Sequence, residues 1–206
     1  MKIAIIGSGN VGGALAQKLI KAGHSVLVGA KFPLSEKSIK LATQIGEDRF
    51  TTFERAIHQS DVVILTTPPT AIPSIVATEE DLSDKVIIDA TNSIGRRVED
   101  LYPTVYHYLT EKTKAKVIKC FNSTGFENIL NPVYNGIAAD MFMAGENQNA
   151  KDITRQLALD CGFGSCIDFG KSDKVELLEK LAQVWINLAA FQGLGRNIAF
   201  HVLKKQ

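Results

Sequence analysis

Gly7, Gly9 and Gly12 stand at the spacing G-x-G-x-x-G, directly behind the apolar run Lys2–Ile6 and directly ahead of the helix-forming stretch 13–20. The run is too short and too β-branched for a helix, so it reads as a buried strand. Glycines at this spacing between strand and helix suit the binding of a dinucleotide pyrophosphate. Gly7 permits the tight turn, Gly9 lets the backbone approach the phosphates without a Cβ in the way, and Gly12 lets helix pack on strand. The free N–H groups of the helix's first turn then face the anion. The competing reading is a tight turn in any α/β protein, and the strand-before, helix-after setting argues against it.

A carboxylate about 20 residues beyond the glycines, at the end of the second strand, would take a ribose 2′-hydroxyl. Here Val28-Gly29-Ala30-Lys31 puts a lysine in that place, with Ser35 and Lys37 close behind. A 2′-phosphate is the better match, so NADP is expected over NAD. The alternative for Lys31 is a solvated loop lysine.

Ligands of doubly wound sheets bind beyond the carboxyl ends of the strands. Three small polar loops fall there: Thr66-Thr67-Pro68-Pro69, whose prolines hold the backbone extended so that threonine hydroxyls can line a ribose; Asp89-Ala90-Thr91-Asn92-Ser93; and Asn122-Ser123-Thr124-Gly125. The amide and hydroxyl of Asn122 and Ser123 suit a nicotinamide carboxamide, whereas Asp89 is as readily a cap. Each loop could equally be ordinary turn chemistry.

A dehydrogenase of an alcohol must move a proton with its hydride and needs a positioned His, Lys or Tyr. None stands out in the strand-end loops. Hydride transfer between two ring cofactors needs mainly alignment and exclusion of water. The sequence therefore points to a hydride transfer between NADPH and a planar redox acceptor, with catalysis by orientation alone. The rivals are an NADP-dependent reductase of a small imine or ketone, and an NADP-sensing module without turnover.

The elements that must position these residues alternate. A helix ends at Ala22-Gly23-His24, a strand follows at Ser25–Gly29, a short helix at 38–45, a minor strand at 49–51, and strands at Val62–Leu65, Val86–Asp89 and 116–121, the last after a helix over 104–112. This is an α/β chain with a Rossmann-type, doubly wound parallel sheet. Beyond it, 141–145, a helix over 150–160 and Ser165–Asp168 form a strand-helix-strand unit expected to extend or abut the main sheet. The apolar helix holding Leu177, Leu178, Leu181, Ala182, Trp185, Leu188 and Ala189 must be buried, in the core, at a dimer contact or against a ligand. The division read here is 1–121 for the nucleotide domain and 122–206 for a small C-terminal domain carrying the acceptor pocket and dimer contacts.

With 23 Lys and Arg against 22 Asp and Glu, no net field attracts nucleic acid or an anionic membrane. No apolar run approaches the ~18 residues of a bilayer span, and the expected location is cytoplasmic. Cys120, Cys161 and Cys166 are odd in number and form no C-x-x-C, so they read as free buried thiols. His24, His58, His107 and His201 are scattered without metal-ligand spacing, and no metal site is expected.

The segments GSGNVGGALA, AGHSVLVGAK, DVVILTTPP, CFNSTG, DMFMAGE, LALDCGFGSCIDFG and LAAFQGLGRNIAF resemble the NADP-dependent deazaflavin-coenzyme reductase family over nearly the whole chain. The resemblance implies an NADP site on Ser8, Asn10, Val11, Ala30, Lys31 and Thr67-Pro68, to which the loop residue Asn92 is added. It implies an acceptor pocket for a deazaflavin or flavin at Asn122, Ser123, Thr124 and Gly125 with Gly193 and Leu194, and a homodimer. The family commonly has Ser-Arg where this chain has Ala30-Lys31.

Overall fold

The computed structural model describes residues 1–31, 35–78, 81–95 and 97–205; the side chain of Lys37, expected near the 2′-phosphate, lies outside the described residues. The strands are β1 Lys2–Ile6, β2 Ser25–Gly29, β3 Phe50–Thr51, β4 Val62–Leu65, β5 Val86–Asp89, β6 Lys116–Cys120, β7 Val133–Tyr134, β8 Ile137–Ala138, β9 Asp140–Gly145 and β10 Ser165–Asp168. The helices are α1 Asn10–Lys21, α2 Glu36–Ile45, α3 Phe53–His58, α4 Ile72–Val76, α5 Val105–Lys112, α6 Phe126–Leu130, α7 Gln148–Asp160 and α8 Val175–Ile186.

Eight strands form one sheet in the order β10-β9-β6-β5-β4-β1-β2-β3, and β7 and β8 form a small hairpin. From β3 to β6 every pairing is parallel, giving the order 3-2-1-4-5-6 of a dinucleotide-binding sheet, with the order reversing between β1 and β4. The strand-helix-strand unit at 140–168 extends this sheet. Its two strands are parallel to each other, but β9 runs antiparallel to β6. An apolar strand run carries no direction, so the sequence could not report that reversal.

Successive strand residues serve opposite faces. Ile3, Ile5, Val62, Ile64, Val86, Ile88, Ile118, Met141 and Met143 pack under α1, α2 and α7. Ala4, Ile6, Val63, Leu65, Ile87, Val117, Phe142 and Ala144 pack under α3, α4, α5 and α8. Both faces are covered, which is why these strands read as unbroken apolar runs.

Within this chain the terminal helix is buried along one side. Leu178, Ala182, Trp185 and Ala189 are buried, but Leu177 and Val184 are half exposed and Phe191, in the turn after α8, is 78% exposed. The helix carries two apolar stripes and its own chain covers one.

Candidate functional site

The turn after β1 is built from backbone. Gly7 has φ +119°, a region open to glycine, and its N–H donates to the Gly29 carbonyl at the end of β2 (2.9 Å). A Cβ on Gly12 would lie 2.0 Å from the Gly7 carbonyl oxygen, so α1 can approach β1 only because position 12 has none. A Cβ on Gly9 would meet no protein atom within 4 Å. Protein packing therefore does not demand glycine there, whereas a ligand backed onto the turn would.

α2, α3, α5 and α7 begin with side-chain caps from Ser35, Thr52, Thr104 and Asn147. α1 begins at Gly9, which has no side chain to offer, and its first turn holds no acidic residue. Its leading N–H groups point outward, towards the space an anion would occupy. Ser8 is tied back through Ser38 Oγ (2.9 Å), which in turn receives Ser35 Oγ (2.9 Å). Val11 packs against the core. A cavity of about 390 Å³ touches Ser8, Gly9 and Asn10 on one side and Phe126 and Leu130 on the other.

Thr66 corrects one expectation. Its hydroxyl donates inward to the carbonyls of Ile6 (3.0 Å) and Gly7 (3.2 Å), buttressing the glycine turn from β4 rather than lining a ribose. Its neighbour is different: Thr67 Oγ1 is buried with no partner, and Pro68 beside it is exposed. Ala30 is buried and bonded to the Thr51 carbonyl (3.2 Å), and Lys31 follows it, exposed, at the same end of the sheet as the glycine turn.

Buried polar atoms without partners are rare in folded proteins and call for a reason. Besides Glu179 Oε1, which faces the Lys119 ammonium in an ion pair (2.8 Å), three such atoms occur among the described residues: Thr67 Oγ1, Ser93 Oγ and Asn122 Oδ1. Each lies just beyond the carboxyl end of one of three consecutive strands, β4, β5 and β6. With the glycine turn at the end of β1 they form a row three strand spacings long, roughly 14 Å. Ser93 also lines a cavity of about 880 Å³ with Gly95 and Val98.

The orientation of Asn122 follows from its bonds. Its amide nitrogen donates to Asn92 Oδ1 (3.2 Å) and approaches the Leu178 carbonyl (3.5 Å), while Asn92 Nδ2 returns a bond to the Asn122 carbonyl (3.3 Å). The free atom is thus the acceptor Oδ1. Phe121, just before it, holds φ +63°, a strained conformation for a bulky residue costing about 1–3 kcal/mol. Ser123 turns inward to Met141 Sδ (3.6 Å) and Thr124 Oγ1 accepts from Asn128 (2.8 Å), so of this loop only Asn122 keeps an unsatisfied group.

Gly193 and Gly195 both adopt positive φ, and a Cβ on either would meet nothing. Leu194 between them is 61% exposed. The tail that follows is strapped down beside the 122–128 loop. Asn128 donates to the carbonyls of Arg196 (3.1 Å) and Ile198 (2.8 Å), Trp185 Nε1 donates to Ile198 (2.7 Å), and Arg196 pairs with Glu127.

Beneath the row lies a group the sequence reading missed. Lys119 is fully buried, and its ammonium contacts Asp89 Oδ2 (3.0 Å), the Thr91 carbonyl (2.6 Å) and Glu179 Oε1 (2.8 Å). Burial works against its charge, but Asp89 and Glu179 more than offset this and hold its pKa above the usual 10.5. Asp89 Oδ1 accepts from Thr91 N (3.0 Å) and Oγ1 (2.7 Å), and Glu179 Oε2 accepts from Ser93 N (3.1 Å). A lysine inside the apolar β6, and a glutamate four residues after the buried Val175 on α8, were the available signals.

Residues 2–93 match the family model described as NADP oxidoreductase, coenzyme F420-dependent. An F420-dependent NADP reductase of Methanocaldococcus jannaschii is 25% identical, covering 91% of this chain and 92% of its own length. Residues 2–93 thus resemble that family, and the chain is an oxidoreductase similar to its members. A solved structure from Arthrobacter sp. FB24 described as an F420-dependent NADP-reductase superposes on the oxidoreductase with TM-score 0.86 at 23% identity, covering 99% of this chain and 100% of its own. A reductive aminase of Aspergillus terreus, solved with NADPH and ethyl-5-oxohexanoate, gives TM-score 0.70 at 21% identity, over 93% of this chain and 62% of its own. The oxidoreductase thus shares its fold with both. No helix among its described residues is long and apolar enough to cross a membrane.

Proposed function

We propose that this oxidoreductase binds NADP(H) across the carboxyl ends of β2, β1, β4, β5 and β6 and transfers a hydride between the nicotinamide and a planar acceptor, a deazaflavin or flavin. The observation that carries the reading is the row of unpartnered buried polar atoms, Thr67 Oγ1, Ser93 Oγ and Asn122 Oδ1, continuing from a glycine turn whose central Gly9 faces open space. These residues fit the cofactor. Gly7 to Gly12 and the first turn of α1 would hold the pyrophosphate, Lys31 the 2′-phosphate, and Thr67 with Pro68 a ribose. Asn122 Oδ1, an acceptor with no donor, would take the N–H of the carboxamide, with Asn92 holding it in that orientation.

When bound, the cofactor supplies the hydride. The chain supplies position and dryness. Residues 1–121 would carry the nucleotide, while 122–206, including Thr124, Gly125, Gly193 and Leu194, would border the acceptor. Among the described residues the ionisable groups beside the row are Glu179, bonded to Ser93 N, and Lys119, whose pKa Asp89 and Glu179 hold above 10.5, so that its ammonium is a poor proton donor. This favours a ring-to-ring transfer over reduction of an imine or ketone, which needs an acid. The exposed stripe of Leu177, Val184 and Phe191 is consistent with a homodimer.

Anaerobic mixing with NADPH and oxidised deazaflavin tests the reading. Bleaching of the acceptor band at a catalytic rate is expected. NADPH binding without bleaching of deazaflavin or flavin would overturn the acceptor, and absence of NADPH binding would overturn the whole assignment.

A further inference from the structure

Two carboxylates and one ammonium make the cluster under the row one negative charge in excess. Lys119 and Asp89 alone would be neutral, and both are fully buried; Glu179, 7% exposed at its side chain, comes in from α8 and adds the surplus. Three of the four carboxylate oxygens accept hydrogen bonds, from Thr91 N and Oγ1, Lys119 Nζ and Ser93 N, and the fourth, Glu179 Oε1, lies 2.8 Å from the Lys119 ammonium as an ion pair. That is the pattern of two carboxylates and not of a carboxylic acid, which would need an acceptor for its proton. An uncompensated buried charge is expensive, and it persists where a partner of opposite sign offsets it.

The position of the cluster identifies the partner. Glu179 Oε2 holds Ser93 N, Lys119 holds the Thr91 carbonyl, and the Asn92–Asn122 amide pair spans these two loops, with Asn122 also against Leu178, the residue before Glu179. The surplus charge therefore sits one hydrogen-bonded layer beneath the atoms proposed to orient the nicotinamide. The two redox states of that ring differ by one positive charge. We infer that the Lys119–Asp89–Glu179 cluster is a charge-selective device, whose net negative charge stabilises the oxidised, cationic nicotinamide over the neutral reduced ring and so favours hydride donation from NADPH. The inference rests on the cofactor placement proposed above. A fixed charge of this kind is preorganised for the charge that develops during transfer, and it works best in a dry site. Glu179 and Lys119 are positioning residues in this account, since neither touches the reacting atoms.

The readout is the ratio of dissociation constants, NADP⁺ over NADPH, measured by titration calorimetry on the full chain without any acceptor. Glu179→Gln makes the cluster neutral and raises the ratio, on the order of tenfold for one unit of buried charge at close range. Lys119→Met makes it doubly negative and lowers the ratio. The double variant Lys119→Met/Glu179→Gln carries the wild-type net charge and returns the ratio to within about threefold of wild type, which a merely structural role would not do. Thermal unfolding identifies the variants that are folded. If Lys119→Met alone fails to fold, Glu179→Gln and the double variant still decide. An unchanged ratio in folded variants, shifts of the same sign in both single variants, or no return in the double variant overturns the inference and leaves the cofactor reading standing. A wild-type chain that binds neither nucleotide overturns both.

Discussion

The two halves of the site are held by different means. Around the glycine turn the contacts are backbone to backbone and short in their logic: Gly7 to Gly29, Gly12 against Gly7, and one buttress from Thr66. Around Asn122 they are side-chain bonds that fasten α8 and the tail to the strand ends, Ser93 to Glu179, Asn128 to Ile198 and Trp185 to Ile198. The half around the glycine turn is held because missing side chains allow close packing, whereas the half around Asn122 is held because particular side chains meet. Damage should therefore propagate differently from each.

The sharpest test of that contrast lies inside the glycine turn itself. Gly12→Ala places a Cβ 2.0 Å from a backbone carbonyl that cannot rotate away, so α1 must lift from β1. A loss of about 3 kcal/mol in unfolding free energy is expected, together with loss of NADPH binding. Gly9→Ala adds its methyl to open space and should cost no more than about 1 kcal/mol, the scale of an altered helix cap. It should still weaken NADPH at least tenfold. Denaturant unfolding and NADPH titration of both variants separate the two roles. Equal stability losses would show that packing alone explains the motif.

This is also why that half could be read from the sequence. Each glycine has a local reason, strand and helix flank it in order, and β4 and β5 fall where their apolar runs do. The other half depends on which residues α8 and the tail bring to the strand ends. Asp89 reads as readily as a turn cap, and it does accept from Thr91 N, but its pairing with Lys119, 30 positions away, and with Glu179 through that lysine exists only once β5, β6 and α8 are assembled. Which threonine of the 66–69 loop turns inward is likewise hidden, because the bonds of Thr66 to Ile6 and Gly7 exist only once β1 and β4 are neighbours. The direction of β9 and the second apolar stripe of α8 were hidden for a related reason: periodicity reports faces, not the neighbours that cover them.

Around Asn122 the corresponding break is Asn128→Leu. The buried amide donates to Thr124 and to the Arg196 and Ile198 carbonyls and accepts from Tyr134. Its loss should cost about 2 kcal/mol, mostly from groups left unpaired. Hydrogen exchange across 196–202 should accelerate and Trp185 emission shift to the red, while NADPH affinity stays within about twofold. Loss of NADPH binding in a folded variant would show that the two halves are not held independently.

A smaller effect is expected from Lys31→Ala. If this exposed lysine meets the 2′-phosphate, NADPH affinity should fall about fivefold, near 1 kcal/mol for a charge-assisted contact at the surface. NADH affinity should not change. An equal loss for both nucleotides would remove the 2′-phosphate assignment and return Lys31 to a general role in the loop.

The weakest handle is the ion pair that fastens the tail, Arg196 to Glu127 at 2.5 and 3.1 Å. Burial raises the Glu127 pKa, but hydrogen bonds from Arg196 and from backbone outweigh it, and the carboxyl sits below its ordinary 4.5. A folded-state pKa depressed in this way contributes stability in full above 4.5 and loses it as the pH falls through the lowered value. With Arg196 half exposed the contribution should stay below about 1 kcal/mol. Unfolding of the wild type and Glu127→Gln should differ at pH 7 and converge in acid. Arg196 also stacks over Trp185 at 5.4 Å and Phe126 at 5.7 Å, contacts that survive protonation of Glu127. Trp185 emission should therefore hold steady through the same titration. A red shift sharing the midpoint of the stability loss would mean that the ion pair, and not the Asn128 amide, holds the tail, reversing the order of importance assigned to the two contacts.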